Sequence, residues 1–313
     1  MTELQNWLHA PFTELGPLFQ AARNITNQNF NQQVKLYFPG KRFPSISVTG
    51  RSCQLDCQHC GGKFLQHMNP ITEPSTLLSF CQKLAANQGI GCLISGGCDS
   101  KGQVPLSPFY KVLTEIKNTT ELFLNVHTGF LTAPEAKQLA ETGIDCASVD
   151  VVGDDKILHH IYGLTNRSTQ DYAETLQALA NAGISVAPHI CVGLQFGHLS
   201  GELEALQLIH SIIKPSTLVI IALMPTKGTK MADLAPPTNI DIARICALAR
   251  LIFPETEIAL GCMRPHGSIR REMERMAIEA GITRLAVPAQ STQKYLEKKG
   301  YKIEVKQSCC VFS

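Results

Sequence analysis

Residues 122–152 read LFLNVHTGFLTAPEAKQLAETGIDCASVDVV, and the order of signals in them decides the fold. An apolar, β-type run, Leu122–Val126, comes first. Thr132-Ala133-Pro134-Glu135 follows and places proline and an acidic residue in the first turn of a helix. The helical pattern Ala133–Glu141 ends at Gly143, and a second apolar run, Cys146–Val152, begins at once. Strand, helix and strand in this order form a parallel unit, because antiparallel neighbours need only a tight turn. The same alternation extends in both directions. Further β-type runs lie at Ser45–Val48, Gly91–Ser95, Ser185–Val192, Thr217–Leu223, Glu257–Gly261 and Arg284–Val287. Helical patterns lie at Ser75–Asn87, Thr169–Ala182, Gly201–Ile213, Ile240–Leu251 and Ser268–Ala280, with Gly183 and Gly281 as stops. Eight strands alternating with helices predict an α/β fold, a (β/α)8 barrel of the triosephosphate isomerase type. An open doubly wound sheet is the other architecture; the strand count and the 313-residue length favour the barrel.

Outside residues 43–301 the chain changes character. In residues 1–42, Trp7, Leu8, Phe12, Leu15, Leu18 and Phe19 recur at helical spacing between polar residues, which predicts an amphipathic helical extension and no signal peptide. Residues 302–313 read as a short extended tail carrying Cys309-Cys310. No apolar run approaches the length of a membrane span. With 44% apolar and 17% charged residues the chain can bury a sizeable core, and a net charge of +2 argues against an extended nucleic-acid surface. The expected location is the cytoplasm, where twelve cysteines are thiols or metal ligands and not a disulfide framework. Cys81, Cys92, Cys146 and Cys246 sit among apolar neighbours and are expected in the core.

Residues 53–60 read Cys-Gln-Leu-Asp-Cys-Gln-His-Cys, directly after the first predicted barrel strand and so at the C-terminal mouth, where barrel enzymes work. Iron–sulfur clusters are usually held by four cysteines. Three thiolates on one loop leave a fourth iron open to chelate an amine and a carboxylate. Zinc, with Cys57, Cys60 and His59 among its ligands, is the competing use of this loop.

The triad resembles the cluster loop of radical S-adenosylmethionine (SAM) enzymes. The resemblance implies that Cys53, Cys57 and Cys60 hold a 4Fe–4S cluster whose open iron binds SAM, and that reductive cleavage of SAM gives a 5′-deoxyadenosyl radical. His59 stands where the family usually has an aromatic residue. Ser95-Gly96-Gly97, at the end of the second strand, matches the family's glycine pair beside the cofactor's amino group. Asp150 on the fourth strand is a candidate for the cofactor's ribose hydroxyls, with a solvated surface carboxylate as the other reading. Gly193 to Glu202, after the fifth strand, is similar to the adenine-binding stretch.

Within the superfamily the chain resembles biotin synthase and lipoyl synthase from about Phe43 onward. Thr49-Gly50-Arg51-Ser52-Cys53, Met224-Pro225-Thr226-Lys227-Gly228-Thr229 and Gly261-Cys262-Met263-Arg264-Pro265 carry this likeness. Biotin synthase places cysteines of an internal 2Fe–2S cluster on three strands. Here those positions fall near Ile94, Asn125 and Cys191, so only one thiol remains. Cys98, Cys262, Cys309 and Cys310 are instead expected to meet at the barrel mouth, with the tail folded over it, and to hold a second, auxiliary 4Fe–4S cluster. A redox-active or incidental tail pair is the other reading. The combination resembles the biotin-synthase-related branch in which two proteins build the lipoyl group. That branch implies sulfur insertion into a protein-bound octanoyl chain on a carrier protein or lipoyl domain, a second homologous radical SAM protein, and an electron donor such as ferredoxin or flavodoxin. The single-chain lipoyl synthase carries an N-terminal cysteine motif, and the first 52 residues here contain no cysteine. His127, Arg264 and Arg270, with Arg271 beside them, are candidate substrate contacts. A radical SAM enzyme of small-molecule cofactor biosynthesis (biotin synthase-like or a mutase) and a non-catalytic iron–sulfur electron carrier are the alternatives.

Overall fold

A computed structural model of the chain describes residues 3–267 and 269–312. The expected helix start at Ser268 and the last tail residue, Ser313, lie outside the described residues. Two helices open the chain, α1 (Glu3–His9) and α2 (Gly16–Phe30), followed by β1 (Gln33–Tyr37) and β2 (Ser45–Ser47). Then come β3 (Asn69–Pro70), α3 (Pro74–Ala86), β4 (Gly91–Ser95), α4 (Tyr110–Thr119), β5 (Phe123–His127), α5 (Ala133–Ala140) and β6 (Cys146–Asp150). The next group is α6 (Asp155–His160), α7 (Thr169–Asn181), β7 (Val186–Val192), α8 (Glu202–Ile212) and β8 (Thr217–Ala222). The chain finishes with α9 (Asn239–Ile252), β9 (Glu257–Leu260), α10 (Ile269–Glu279), β10 (Arg284–Ala286), α11 (Gln290–Lys298) and β11 (Lys302–Lys306).

All strands form one sheet in the order β11-β1-β10-β9-β8-β7-β6-β5-β4-β2-β3. Every adjacent pair is parallel. The eight expected strands are β2 and β4 to β10, side by side in chain order. The ring stays open: β1 and β11 extend it past β10, β3 extends it past β2, and among the described residues no pairing joins these edges. The fold is therefore a partial parallel barrel. β1 departs from the helical reading of residues 1–42. Its alternation, Gln33-Val34-Lys35-Leu36, is too short to stand out beside the helical pattern before it. The helix starts follow the expected chemistry. Glu135 Oε2 accepts from Thr132 N at 2.8 Å at the head of α5, and Asp171 Oδ2 accepts from Ser168 N at 2.8 Å at the head of α7.

Alternation along each strand sends one set of side chains outward and one inward. Outward Ile94, Leu124, Val126, Val149, Ile190, Ile220, Leu260 and Leu285 form the main core under the helices. α9 is buried from Ile242 to Arg250 because α1 and α2 lie on its outer side. Arg244 donates to the carbonyls of Trp7, Leu8 and Ala10, the otherwise unpaired end of α1.

The inner face is built differently. A closed barrel is usually filled by large branched side chains; here Ala187, Val219, Ala259 and Ala286 leave room, and the C-terminal tail enters it. Cys310 and Val311 pack with these residues, Tyr37 and Cys146. Phe312 meets Phe123 edge-on, with ring centroids 4.6 Å apart. Arg284 donates to the carbonyls of Cys310 at 2.8 Å and Phe312 at 3.2 Å, and the Tyr37 hydroxyl donates to the Phe312 carbonyl at 3.0 Å. Glu257 lies 3.6 Å from Arg284 and 2.5 Å from Lys35. The tail thus lies inside the ring and not over its mouth, because these donors and the small inward residues are there to receive it.

Arg284→Met keeps most of the bulk and removes the two hydrogen bonds from the guanidinium to the tail. It is expected to lower stability by about 2–3 kcal/mol, as for hydrogen bonds from a charged group, measured by urea unfolding. Faster trimming of the C-terminus by carboxypeptidase should accompany the loss. An unchanged midpoint and trimming rate would show that this guanidinium does not hold the tail.

Candidate active site

The cysteine loop leaves β2, is pinned from outside at two backbone positions and is closed on itself at a third. Gln54 N donates to Cys98 O at 2.8 Å, Gln58 N donates to Ile161 O at 2.8 Å, and Gly61 N donates to Cys57 O at 2.8 Å. On the far side Lys230 pairs with Asp56 at 2.9 Å. The strand β4 glycines come closest. A Cβ placed on Gly97 would lie 2.1 Å from Ser52 O and 2.6 Å from Cys53 Cα, so only glycine lets the two backbones touch. Gly97 N donates to Thr49 Oγ1 at 2.7 Å, and that hydroxyl donates to Ser52 O at 2.8 Å. Ser95 is buried just before them. The glycine pair therefore sets the start of the loop.

Cys57 is buried, and Cys53 and Cys60 are half-buried. The Cys57 thiol donates to Cys60, and with help from His59 this holds the Cys60 thiol down at about 4. Cys57 is pushed up by the same hydrogen bond, by burial and by the neighbouring thiols of Cys60, Cys53 and Cys98. Several thiolates in this space would repel one another, and metal coordination relieves that charge. Among the described residues no group of three or more His, Cys, Asp or Glu side chains stands arranged around a metal position. The donor set fits a cluster by type: three thiols on one loop lie near enough to perturb one another. His59 stacks against Tyr162 with centroids 5.1 Å apart, and its Nδ1 is buried without a partner.

Three neighbouring strands send polar side chains into the lumen. His127 ends β5, Asp150 ends β6, and His189 sits opposite Asp150 on β7. The His127 and His189 rings are 5.5 Å apart in an edge-to-face arrangement. Asp150 is exposed to the open lumen, while Ser148, two residues earlier, is buried and donates to Asn125 at 2.9 Å. His189 was not singled out from the sequence, although Ala187, His189 and Cys191 share the inward face of one strand by their spacing.

The remaining thiols divide into two groups. Cys98 belongs with the triad: burial, and then Cys53, push it up to about 12. It does not join the tail as expected, because the Gly97 contact holds its backbone against the cysteine loop. Cys309 packs beside Cys146 and Cys310 inside the ring. A hydrogen bond from Cys310 holds the Cys309 thiol below its usual range. Burial and Cys309 raise Cys262, which lines the concave wall yet remains accessible to solvent. Cys146 is pushed up to about 12 by burial and then by Cys309.

Other expected contacts are committed elsewhere. Glu202 accepts from Gly193 N at 2.8 Å through one oxygen and from Ser200 N at 2.6 Å through the other. Burial outweighs these bonds and pushes it up to about 7. Glu202 therefore staples the loop after β7, and Gly193 is held at φ +83° against Pro237. Arg264 is 1% exposed and donates to Glu274 at 2.6 Å and to Gly261 O at 2.5 Å. Arg270 shares the same Glu274 oxygen at 2.8 Å. Thr292 Oγ1 and Ala289 N fill the other oxygen, so both arginines belong to a buried knot under α10 and α11. Arg271 is exposed.

Residues 47–198 match the family model described as the Radical SAM superfamily, and residues 220–308 match the Biotin and Thiamin Synthesis associated domain. The chain is similar to the biotin synthase of Marinobacter nauticus, at 24% identity with 99% of this chain and 88% of that protein covered. It is similar to the biotin synthase of Francisella philomiragia at 28% identity, with 87% and 85% covered. Among solved structures, methylornithine synthase superposes with a TM-score of 0.69 at 17% identity, over 97% of this chain and 94% of that one. The FeFe-hydrogenase maturase HydG from Carboxydothermus hydrogenoformans gives 0.70 at 14% identity, over 96% and 75%. These two likenesses concern the fold. Among the described residues no helix is long and apolar enough to cross a membrane.

Gly97→Ala places a methyl group where Ser52 and Cys53 backbone atoms stand. It is expected to lower the iron retained after anaerobic purification while leaving the far-ultraviolet circular dichroism unchanged. Gly16→Ala, whose added Cβ meets nothing within 4 Å, is the matched control and should keep its iron. Full iron retention in Gly97→Ala would remove the glycine contact as the determinant of the loop.

Proposed function

We propose that this radical SAM superfamily chain, which carries a Biotin and Thiamin Synthesis associated domain and is distantly homologous to biotin synthase, inserts sulfur at an unactivated carbon–hydrogen bond. The observation that carries the reading is the tail. Cys309 and Cys310 lie inside the ring among inward residues that also include Cys146, and Cys262 is near enough for Cys309 to perturb its thiol. A second set of thiols thus lies inside the ring whose β2 loop carries the triad. In this reading Cys53, Cys57 and Cys60 hold the SAM-binding 4Fe–4S cluster, and Cys262, Cys309 and Cys310 contribute to an auxiliary cluster. When bound, these groups supply a hydrogen-abstracting adenosyl radical and a source of sulfide. The chain's own residues keep the two thiol sets apart, exclude water through the packed floor of Tyr37, Val311 and Phe312, and line the path between them.

The substrate we assign is an octanoyl chain joined to a carrier protein or lipoyl domain. A second homologous radical SAM protein handles the other carbon, and a ferredoxin or flavodoxin delivers electrons. Its support is the absence of the biotin-synthase cysteine pattern. Those positions fall near Asn125, which is used in a buried hydrogen bond with Ser148, and near Ile94, which points outward into the helix-side core. A small biotin-precursor substrate is the second reading, favoured by biotin synthases that match nearly the whole chain. An electron carrier has no use for an open lumen lined by His127, Asp150 and His189.

Iron and sulfide are counted after anaerobic reconstitution of the wild type and of a Cys309→Ala/Cys310→Ala variant. About eight irons falling to about four supports the auxiliary cluster. About four in both proteins would sink it. Incubation of the wild type with SAM and a reductant, together with either an octanoylated lipoyl domain or the sulfur-free precursor of biotin, then separates the substrates. Carbon–sulfur bond formation on the domain is the expected result, and product from the small precursor alone would establish the second reading.

A further inference from the structure

β11 ends the sheet, and its pairing leaves one side of the strand free. Lys302 N donates to Gln32 O at 3.1 Å, and Phe38 N donates to Lys306 O at 2.8 Å. Along a parallel strand, successive residues turn their N–H and C=O groups to opposite sides. Lys302, Glu304 and Lys306 therefore turn toward β1. Ile303 and Val305 turn away from it, on the unclosed side of the ring. The side chains beside this free edge are apolar on the outer face. Val305 is in register with Leu36, and Phe38 and Val287 directly follow the paired residues Tyr37 and Ala286. Val305 is 57% exposed, Val287 40% and Phe38 37%. Three adjacent strands thus present one apolar row at the open end of the sheet.

The surroundings of the edge are basic. Residues 294–306 hold five lysines and two glutamates, a local excess larger than the net charge of the whole chain. Glu304 is taken by Lys306 at 2.5 Å and by Gln33 at 3.2 Å. Lys298, Lys299 and Lys302 are exposed and have no ion partner among the described residues. Lysines on an edge strand commonly prevent pairing with other chains. Here they discriminate between partners. Two copies of β11 meeting about Glu304 would set Glu304 against Glu304 and Lys302 against Lys306, and like charges directly opposite are destabilising. A strand with acidic residues opposite Lys302 and Lys306 and apolar ones opposite Ile303 and Val305 meets no such repulsion.

We propose that β11 is a docking edge on which a protein partner adds an acidic, extended strand along Ile303 and Val305 and packs apolar side chains against Val305, Phe38 and Val287. This rests on the reading that the substrate chain is carried by a protein, and it deepens that reading: the occupant is the carrier domain, recognised through an acidic strand. Residues 307–312 run from this edge into the ring, so a carrier held here stands where the chain itself passes inside.

The test follows hydrogen exchange at single amides of the reconstituted holoenzyme, with and without the octanoylated lipoyl domain. The Ile303 and Val305 amides are expected to slow by about tenfold or more when the domain binds. Val305→Pro removes one outward N–H and leaves the ladder to β1 intact, which far-ultraviolet circular dichroism checks. It should weaken binding of the domain about tenfold, while Val305→Thr, which keeps the N–H and the branched shape, should stay within about twofold of the wild type. Added salt should weaken wild-type binding. Unprotected amides in a complex that forms, or wild-type affinity in a folded Val305→Pro, would each overturn the docking edge. A domain that binds and gains sulfur without protecting these amides sinks the edge alone and leaves the carrier reading standing. A domain that neither binds nor gains sulfur, while the small precursor is converted, sinks the carrier reading and this inference with it.

Discussion

The fold depends on the guanidinium of Arg284, 2% exposed on the inner face of β10. A charge in that position must be paired and hydrogen-bonded or the strand would not tolerate it. Glu257 supplies the counter-charge, and the carbonyls of Cys310 and Phe312 supply the acceptors. A buried pair of this kind contributes little net stability compared with a well-packed apolar core. Its consequence is geometric: the C-terminus finishes inside the ring, and the floor that a closed barrel makes from its own strands is here made by the tail. Small inward residues on β7, β9 and β10 and the donors of Arg284 and Tyr37 are two halves of one arrangement. Ala187, Ala259 and Ala286 would leave a void without Cys310 and Val311, and the tail carbonyls would be orphaned without the donors.

The barrel strands were legible because both faces of a parallel sheet are covered, which makes them continuous apolar runs. β1 and β11 were harder. Each lies beyond the ring proper and alternates over only five residues, β11 pairing with β1 and β1 in turn with β10. The cysteine loop was legible because chemistry demands its spacing. The tail's extended character was legible too, but its direction was not, since no local signal says whether a chain end covers a mouth or fills a floor. That choice is made by residues more than twenty positions away in the sequence, above all Arg284.

Charged residues were the least legible part of the site. Glu202, Arg264 and Arg270 lie in loops and helix starts beside the barrel strands, which is where ligand contacts and structural staples both occur. Only three-dimensional pairing separates the two. Glu202 has both oxygens filled by backbone N–H groups of its own loop, and Glu274, absent from the sequence reading, gathers both arginines. His189 was hidden for the opposite reason. Between Pro188 and Ile190 it reads as part of a buried strand; the spacing puts it on one face with Ala187 and Cys191, and the pairing with Asp150 shows that this face is the inner one.

The buried knot around Glu274 also bears on the thiols. Arg264 reaches back to the carbonyl of Gly261, the residue before Cys262, while its other nitrogen is locked on Glu274. Because Glu274 in turn binds Thr292 and the amide of Ala289, the position of the Cys262 backbone is tied to the start of α11. From α11 the chain runs into β11 and then to Cys309. Cys262 and Cys309 are 47 residues apart in sequence, and this carboxylate ties the backbone beside the first to the head of the helix that leads, through β11, to the second. In the reading proposed above, this tie sets where the Cys262 backbone stands relative to the elements that lead to the tail.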